Sequence, residues 1–383
     1  MHILMMNKEG GMKRMIEIDG KHAKAKVFTD KLEQDARNQI LELCNQKFTK
    51  GSKIRIMPDV HSGKGCVIGL TMTFKDKVVP NLVGVDIGCG ISAIKINEKR
   101  IDFNKLEKII TKQIPSGFAI RQKVHKTAKD IPLEELKCIH AIDRERAMKS
   151  VGTLGGGNHF LEAGRDKNHN IWFFVHSGSR HLGNQIATHY QKLAIKKLKK
   201  KVLELENPNL AYLEGEDTQN YLHDVKIAQQ YALKNREAML YQILDFMDVT
   251  SSEEIVHTIH NYIDVDKFIV RKGAISAEKD EMMMIPMNMR DGMLLCRGKG
   301  NSDWNFSAPH GAGRIMSRTK AKNVLELEAF KESMAGIWSQ SVRTSTLDEA
   351  PMVYKPMEEI LSHIGETVEV VDIIKPIYNY KAH

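Results

Sequence analysis

The chain has 383 residues, of which 42% are apolar and 27% are charged. This composition excludes an intrinsically disordered protein and predicts a globular one with a sizeable core. Lysine and arginine (57) outnumber aspartate and glutamate (48), so the net charge is +9, which weakly favours an anionic partner. The sequence has no run of about 18 apolar residues, so we expect no membrane span.

Five scattered cysteines predict free thiols in a reducing compartment, and therefore a cytoplasmic protein. The first fifteen residues lack the apolar segment of a signal peptide. Regular patterning begins only at Met15. We therefore expect residues 1–14 to be disordered or to precede the true start, at Met12 or Met15.

The first third of the chain predicts one helix followed by short strands. Residues 31–47 carry apolar side chains at helical spacing. Strand-like runs joined by glycine-rich connections follow at Ile54–Met57, Val67–Phe74, Val78–Val79 and Ile91–Ile96.

The middle of the chain is predominantly helical. A strand-like run at Ile171–Val175 precedes two predicted helices, over 184–201 and 217–247, and we interpret residues 184–250 as a helical insertion. The remaining predicted elements are strands at Phe268–Val270, Met282–Ile285 and Met293–Leu295, a helix over Val324–Ser339 and a strand over Val368–Ile374.

Several of the sixteen histidines lie in glycine-rich turns, where the backbone exposes them, rather than on helix faces. In GVDIGCG (84–90), Asp86 and Cys89 are spaced so that both could point at one metal ion. Taken alone, a buried cysteine beside a turn-capping aspartate explains this motif better. Asp86 and Cys89 therefore indicate a metal site only in combination with further donor residues.

Three further turns supply such donors. GGGNHFLE (155–162) combines exposed amides with Asn158 and His159, and HSGSRH (176–181) places His176 and Arg180 directly after a strand. In HTIHN (257–261) two histidines lie three apart, and at most one is expected to be a ligand. A mixed set of oxygen, sulfur and nitrogen donors suits Mn, Fe, Co or Zn, and a bridging cysteine would hold two cations, as phosphoryl chemistry often requires.

These motifs, with RKGA (271–274), HGAGRIMSR (310–318), DEAPMVYK (348–355) and a near-terminal Lys381, resemble the RtcB family of GTP-dependent RNA ligases in family order across almost the whole chain. The resemblance implies an enzyme that joins RNA 3′-phosphate or 2′,3′-cyclic phosphate ends to 5′-hydroxyl ends, in RNA repair or tRNA splicing. It also implies an α+β fold of antiparallel sheets packed with peripheral helices.

The resemblance also implies roles for individual residues. Cys89 would bridge two Mn²⁺ ions, one completed by His176 and His260 and the other by Asp86 and His159, while His310 would be the nucleophile that becomes linked to GMP. The residues implied in GTP binding are Asn158, His159, Phe160, Leu161, Glu162, His260, Asn261, Pro286, Met287, Asn288, Met289, Met293, His310, Gly311, Ala312, Gly313, Tyr354 and Lys381, with Glu162 and Lys381 selecting guanine. The residues implied in RNA phosphate binding are Arg180, Lys272, Arg314 and Arg318.

The chain departs from the family pattern near the nucleotide. Where many members read Pro-Gly-Ser-Met, this chain reads Pro286-Met287-Asn288-Met289, and Met293 replaces an expected serine. Asn288 can still form hydrogen bonds, whereas Met293 cannot donate one. The details of purine contact are therefore open at the sequence level.

Two alternatives remain from the residues alone. One is a dinuclear metal-dependent phosphoesterase acting on RNA ends, which would need no GTP. The other is an RNA-binding paralogue without catalysis, suggested only by Met293. We expect one catalytic domain over residues 1–383, because the implied ligands and nucleotide contacts extend from residue 86 to residue 381. We also expect a monomer.

Overall fold

The computed structural model describes residues 15–200 and 207–382. The prediction for residues 1–14 therefore lies outside the described residues. The strands are β1 Ile16–Asp19, β2 Lys24–Val27, β3 Ile54–His61, β4 Ile68–Thr73, β5 Lys77–Val78, β6 Gly90–Lys95, β7 Phe160–Arg165, β8 Ile171–Ser177, β9 Leu213–Glu214, β10 Val256–Ile259, β11 Asn261–Asp264, β12 Ile269–Lys272, β13 Ala274–Ser276, β14 Met282–Asn288, β15 Gly292–Gly298, β16 Ser307–Pro309 and β17 Val368–Lys381. The helices are α1 Gln34–Cys44, α2 Phe103–Gln113, α3 Arg144–Ser150, α4 Arg180–Lys200, α5 Glu216–Met247, α6 Arg318–Val324, α7 Leu327–Ser333 and α8 Met357–Ile364.

Two large sheets organise the chain. One has six strands in the order β1-β2-β3-β4-β12-β11, and the other has seven in the order β10-β6-β8-β7-β17-β15-β14. Every strand pair in them is antiparallel except β2 with β3. This arrangement confirms the mixed α+β fold expected from the sequence.

The chain crosses from one sheet to the other at His260. Strand β10 ends at Ile259 in the seven-stranded sheet, and β11 begins at Asn261 in the six-stranded sheet. The backbone N–H of Gly273, just beyond β12, donates to the His260 carbonyl at 2.7 Å. Residues at these crossings therefore lie where the two sheets meet, which is where the candidate site forms.

Helices α4 and α5 account for most of the described residues within 184–250, and α5 packs into the core. Helix α5 packs against β6 and β8, and its Tyr221, Val225 and Tyr231 belong to the main hydrophobic cluster. Its Arg236 is fully buried and donates to the carbonyls of Gly88 and Ser177, at 2.8 and 2.9 Å. Helix α5 therefore supports the turns that carry candidate ligands.

One local prediction was wrong. The helix expected over Val324–Ser339 is replaced by α6 and α7, which break at Leu325–Glu326. His257 lies on strand β10, and His260 directly follows its end. Side chains alternate between the two faces of a strand, so positions three apart point to opposite faces instead of sharing one face as they would on a helix.

The predictions about cysteines and membrane spans agree with the described residues. All five cysteines are free and buried. Across residues 15–200 and 207–382, none of the helices combines the length and the apolar character needed to cross a bilayer.

Candidate metal and nucleotide site

Four donor residues converge on the Cys89 thiol. Its Sγ lies 3.5 Å from Nε2 of His159 and 3.4 Å from Nε2 of His176. Nε2 of His176 is 3.4 Å from Nε2 of His260, and Nε2 of His159 is 3.0 Å from the Asp86 carboxylate. Two overlapping three-residue groups result, Asp86–Cys89–His159 and Cys89–His176–His260, each with ligand atoms within 4.8 Å of one another.

Hydrogen bonds on the far side of two rings orient them for metal binding. Nδ1 of His159 faces the Leu154 carbonyl at 2.8 Å, and Nδ1 of His176 faces the Asn158 carbonyl at 3.2 Å. A ring that donates Nδ1–H to a carbonyl carries its lone pair on Nε2, which is the atom facing Cys89. The donor set and its orientation therefore fit a pair of divalent transition-metal ions that share the thiolate.

The two turns that supply these donors are joined through their backbones. The N–H of His260 donates to the Cys89 carbonyl at 2.9 Å, and the N–H of Gly88 donates to the Asn261 carbonyl at 2.6 Å. Gly178 lies against Asp86, where a Cβ would overlap the carboxylate. Close approach of the strand end to Asp86 therefore requires glycine at this position.

The protonation states of the donors follow from burial and contact. Burial lowers the pKa of His176 and His260 well below the usual value, so both rings are neutral. Burial, followed by the Asp86 charge, raises the pKa of the Cys89 thiol. Burial alone would raise the pKa of Asp86, but the hydrogen bond and charge of His159, with the charge of Arg180, outweigh it and lower the pKa to about 2.

His310 lies beside this cluster. It follows strand β16, and its ring centroid is 5.0 Å from that of the candidate ligand His260. Its Nδ1 is 2.6 Å from the carboxylate of Asp59, which is fully buried and also accepts from the His310 backbone N–H at 3.1 Å. With Nδ1–H directed at Asp59, the nucleophilic lone pair is on Nε2.

A cavity of about 320 Å³ opens between the donor cluster and His310. Its walls contain Asp86, Cys89, His176 and His260 from the cluster. The walls also include these residues that the resemblance implied in nucleotide binding: Asn158, Phe160, Glu162, Asn261, Pro286, Met287, Asn288, Met289, Met293, His310, Gly311, Ala312, Gly313, Tyr354 and Lys381. A pocket that joins paired metal ligands, a histidine and a purine-sized space can hold a nucleotide with its phosphates on the metal side.

Leu161 does not line this pocket, which corrects the expectation of a nucleotide contact there. It is 1% exposed and belongs to a hydrophobic cluster with Val175 and Tyr378. Because side chains alternate along β7, Phe160 and Glu162 share the pocket face and Leu161 points the other way.

The two departures from the family pattern behave differently. The Asn288 side chain is used within its own turn, where it donates to Asp291 at 2.7 Å and accepts from the backbone N–H groups of Arg290 and Asp291. Met293 is 1% exposed, and at the pocket wall it packs with Met284 and Ile374. Neither side chain therefore offers a new polar contact to a ligand in this conformation.

A buried carboxylate, Glu349, ties together the cations at the opposite end of the pocket. Lys381 Nζ is 2.8 Å from Glu349 Oε2, Arg318 is 2.6 Å from Oε1, and the Tyr354 hydroxyl donates at 2.8 Å. Burial would raise the pKa of Glu349, but Lys381 and Arg318 lower it to about 2. The group is therefore an anion that fixes the positions of three side chains implied in ligand binding.

The four residues implied in RNA binding occupy different environments. Arg314 and Arg318 line the pocket and contact Asp348 or Glu349. Arg180 lies against Gly155, with its guanidinium near Thr153 and the Gly117 carbonyl. Lys272 is only 4% exposed, and its ammonium donates to the Cys66 and Lys64 carbonyls, so it anchors that loop and its assignment as an RNA contact is withdrawn.

Sequence reasoning missed several residues that shape the site. Asp59 was not singled out, although its position between the predicted strand Ile54–Met57 and a glycine-rich connection was a usable signal. Arg236 gave no signal, and Glu349 stood only as one residue of DEAPMVYK (348–355), because their roles depend on partners far away in the sequence. His257, treated as outside the ligand set, contacts the Ser92 hydroxyl at 2.8 Å instead.

Comparison with known proteins identifies relatives of the chain. The family model described as tRNA-splicing ligase RtcB matches residues 40–138 and 127–382. The RNA-splicing ligase RtcB of Escherichia coli K12 is 32% identical over 384 aligned positions, which cover 90% of this chain and 94% of that protein. The tRNA-splicing ligase RtcB of Nanoarchaeum equitans is 26% identical and is aligned over 80% of this chain and 83% of its own length.

The match extends over nearly the whole described chain and includes every turn that contributes to the donor cluster. A family-model match of this extent, together with a relative above 30% identity, agrees with the resemblance seen in the motifs. The chain belongs to the RtcB family.

Proposed function

We propose that this protein is an RNA ligase that joins 3′-phosphate or 2′,3′-cyclic phosphate ends to 5′-hydroxyl ends, with GTP as co-substrate and Mn²⁺ as cofactor. The observation that carries the proposal is the position of His310. Its ring adjoins the candidate ligand His260 within a nucleotide-sized cavity, and a buried carboxylate holds its Nδ1. Family membership and the names of the relatives support an RNA ligase.

The donor cluster would hold two Mn²⁺ ions, with Cys89 shared between them. His176 and His260 would complete one site, and Asp86 and His159 the other. When bound, these ions would neutralise phosphate charge on the substrates.

His310 supplies the nucleophile of the first step. Its Nε2 lone pair forms a bond to the α-phosphorus of GTP, the bond to the β-phosphate oxygen breaks, and pyrophosphate leaves. Asp59 accepts the Nδ1 hydrogen bond and stabilises the positive charge that develops on the ring. The product is GMP joined to His310 through a phosphorus–nitrogen bond.

Two transfers then complete ligation. An oxygen of the RNA 3′-phosphate attacks the GMP phosphorus, the phosphorus–nitrogen bond breaks, and His310 is regenerated. The 5′-hydroxyl of the second RNA attacks the activated 3′-phosphate, and GMP leaves. A cyclic phosphate end is first opened by water.

Other residues would bind the substrates. Glu162 and Lys381 would contact the base. Arg314 and Arg318 at the pocket wall, and Arg180 outside it, would contact RNA phosphates. We further propose that the whole chain acts as one catalytic domain, because the pocket wall includes residues from His61 to Lys381.

A ligation assay tests this function. Purified protein with Mn²⁺ and GTP should join a 3′-phosphate RNA to a 5′-hydroxyl RNA, and His310→Ala should abolish joining. His140→Ala, at an exposed position outside the pocket walls, should have no effect. Metal-dependent turnover of RNA ends without GTP, unaffected by His310→Ala, would instead support a phosphoesterase, and tight RNA binding without any turnover would support a non-catalytic paralogue.

A further inference from the structure

Asn379 lies beside Glu162 at the floor of the pocket, and no role has been assigned to it so far. It belongs to strand β17, where it is the direct partner of Glu162 on β7. Asn379 is 1% exposed and Glu162 is 5% exposed, and both line the cavity. The sequence motifs did not single out this asparagine.

The hydrogen bonds of this pair are incomplete. Asn379 Nδ2 donates to Glu162 Oε2 at 2.7 Å. Asn379 Oδ1 and Glu162 Oε1 are buried, and neither accepts a hydrogen bond from the described residues. Buried acceptors without partners cost free energy and are uncommon in native proteins, so a pair of them lining a cavity indicates that a ligand supplies the donors.

The orientation of the amide follows from its contact with Glu162. The amide Nδ2 donates to Glu162 Oε2, because the amide nitrogen is the only donor of the side chain and a carboxyl oxygen accepts. Oδ1 is then the remaining polar atom of the side chain. The floor therefore offers two adjacent acceptors, next to one donor, the Lys381 ammonium, which is 3.4 Å from the Asn158 carbonyl at the pocket wall.

Two acceptors next to one donor match guanine better than adenine. Guanine presents N1–H and an exocyclic 2-amino group as adjacent donors, beside O6 as an acceptor. Adenine has an acceptor at N1, a donor at N6 and no group at C2. We propose that Asn379 is a specificity residue whose Oδ1 accepts from the 2-amino group of guanine, while Glu162 accepts from N1–H and Lys381 donates to O6.

This inference rests on the proposed function, because it requires a guanine nucleotide in this pocket. A simpler role is that Asn379 only positions Glu162. The two roles differ in which nucleotides they affect. A positioning role would influence GTP and inosine triphosphate (ITP) equally, since hypoxanthine keeps N1–H and O6 and lacks only the 2-amino group.

The test compares kcat/KM for covalent nucleotide transfer to the protein with GTP and with ITP. The wild type should prefer GTP by about 10- to 100-fold, the effect of one hydrogen bond to a buried acceptor. Asn379→Leu should reduce this preference to about one, and Asn379→Ala should do the same if the leucine variant does not fold. Asn104→Leu, on the exposed first turn of α2, should retain the wild-type preference.

The outcomes separate the inference from the function on which it rests. If wild-type protein uses GTP and ITP equally, or if the asparagine variants lose both activities while keeping the wild-type ratio, Asn379 does not read the 2-amino group and the ligase proposal stands. If the wild type forms no adduct with either nucleotide, the proposed function fails, and the inference fails with it.

Discussion

The metal half and the base half of the pocket are organised in opposite ways. In the metal half, Cys89 faces two imidazole nitrogens, and backbone carbonyls hold those rings from behind. In the base half, Lys381, Arg318 and Tyr354 are already bound to Glu349. The metal half presents donor atoms to a ligand, whereas in the base half the cations are already paired with the Glu349 carboxylate.

This difference indicates what each half must do when ligands bind. The metal half needs the ions and the loss of the Cys89 proton, since backbone carbonyls orient the rings of His159 and His176, and the rings of His176 and His260 are neutral. The base half must exchange or share contacts of Glu349 as a nucleotide enters. Changes in the metal half should therefore act mainly on metal content and chemistry, and changes in the base half on stability and nucleotide affinity.

Removing the shared thiol should have the largest effect. Cys89→Ala deprives both candidate sites of a ligand, so we expect metal affinity to fall by more than about 100-fold and ligation to fall below detection. Bound Mn²⁺ per chain, measured by mass spectrometry of the metal, checks this. Cys44→Ala, at an equally buried cysteine in α1, should keep two ions per chain, and retention of both ions by Cys89→Ala would contradict the bridging role.

Glu349→Gln should next affect stability. The substitution leaves Lys381, which is 5% exposed, without its carboxylate, and we expect a loss of about 3–5 kcal/mol at pH 7. Because the folded pKa of about 2 is below the ordinary value of 4.5, this contribution is present above pH 4.5 and disappears as pH falls toward 2.

Denaturant unfolding at several pH values measures that loss. Glu359→Gln is the matched control, since Glu359 pairs with an exposed Lys31 at the surface and should contribute less than about 1 kcal/mol. An equal effect of the two substitutions would show that Glu349 is not the anchor of the base half.

Asp59→Asn should slow the first chemical step without removing metal. The amide can no longer stabilise a positively charged His310 ring, and it holds that ring less firmly in one orientation. We therefore expect the single-turnover rate of GMP transfer to fall by about 100-fold. Asp303→Asn, at a half-exposed carboxylate that binds Lys26 and Arg55, should keep the wild-type rate. A normal rate in Asp59→Asn would exclude the positioning role of Asp59.

The last prediction concerns how stability changes with pH at Glu162. Burial raises the pKa of this carboxyl from 4.5 to about 8, although Asn379 and Lys381 oppose the shift. The neutral form is therefore favoured in the fold, and stability should fall as pH rises from 4.5 through 8, by at most about 1.4 kcal/mol per pH unit. Unfolding of Glu162→Gln without nucleotide should lack this decline, and parallel pH profiles for both proteins would contradict the burial argument.

The sequence predicted the fold class and most strands because these depend on local apolar patterning. Ile171–Val175 and Ile91–Ile96 correspond to β8 and β6 within one or two residues. The helix over Val324–Ser339 failed because its apolar spacing continues through a break at Leu325–Glu326 that local pattern does not reveal. The packing of α5 in the core was missed for a similar reason, since long helices carry little information about their partners.

The sequence predicted the parts of the candidate site that lie in local motifs and missed the parts that depend on distant partners. Glycine-rich turns identified Asp86, Cys89, His159, His176 and His310, and the structure brings them together. Contacts between residues far apart in the sequence were not visible, among them Asn379 beside Glu162 and Glu349 beside Lys381. Leu161 and Lys272 were misassigned because a motif names positions, while strand alternation and burial decide which side chains reach the pocket.

The most direct test of covalent catalysis by His310 is mass spectrometry of the intact protein after incubation with GTP and Mn²⁺, followed by peptide mapping. We expect a mass increase of one GMP, located on His310, that requires the metal and is absent from His310→Ala and Cys89→Ala. An adduct on another residue, or an undiminished adduct in His310→Ala, would contradict it.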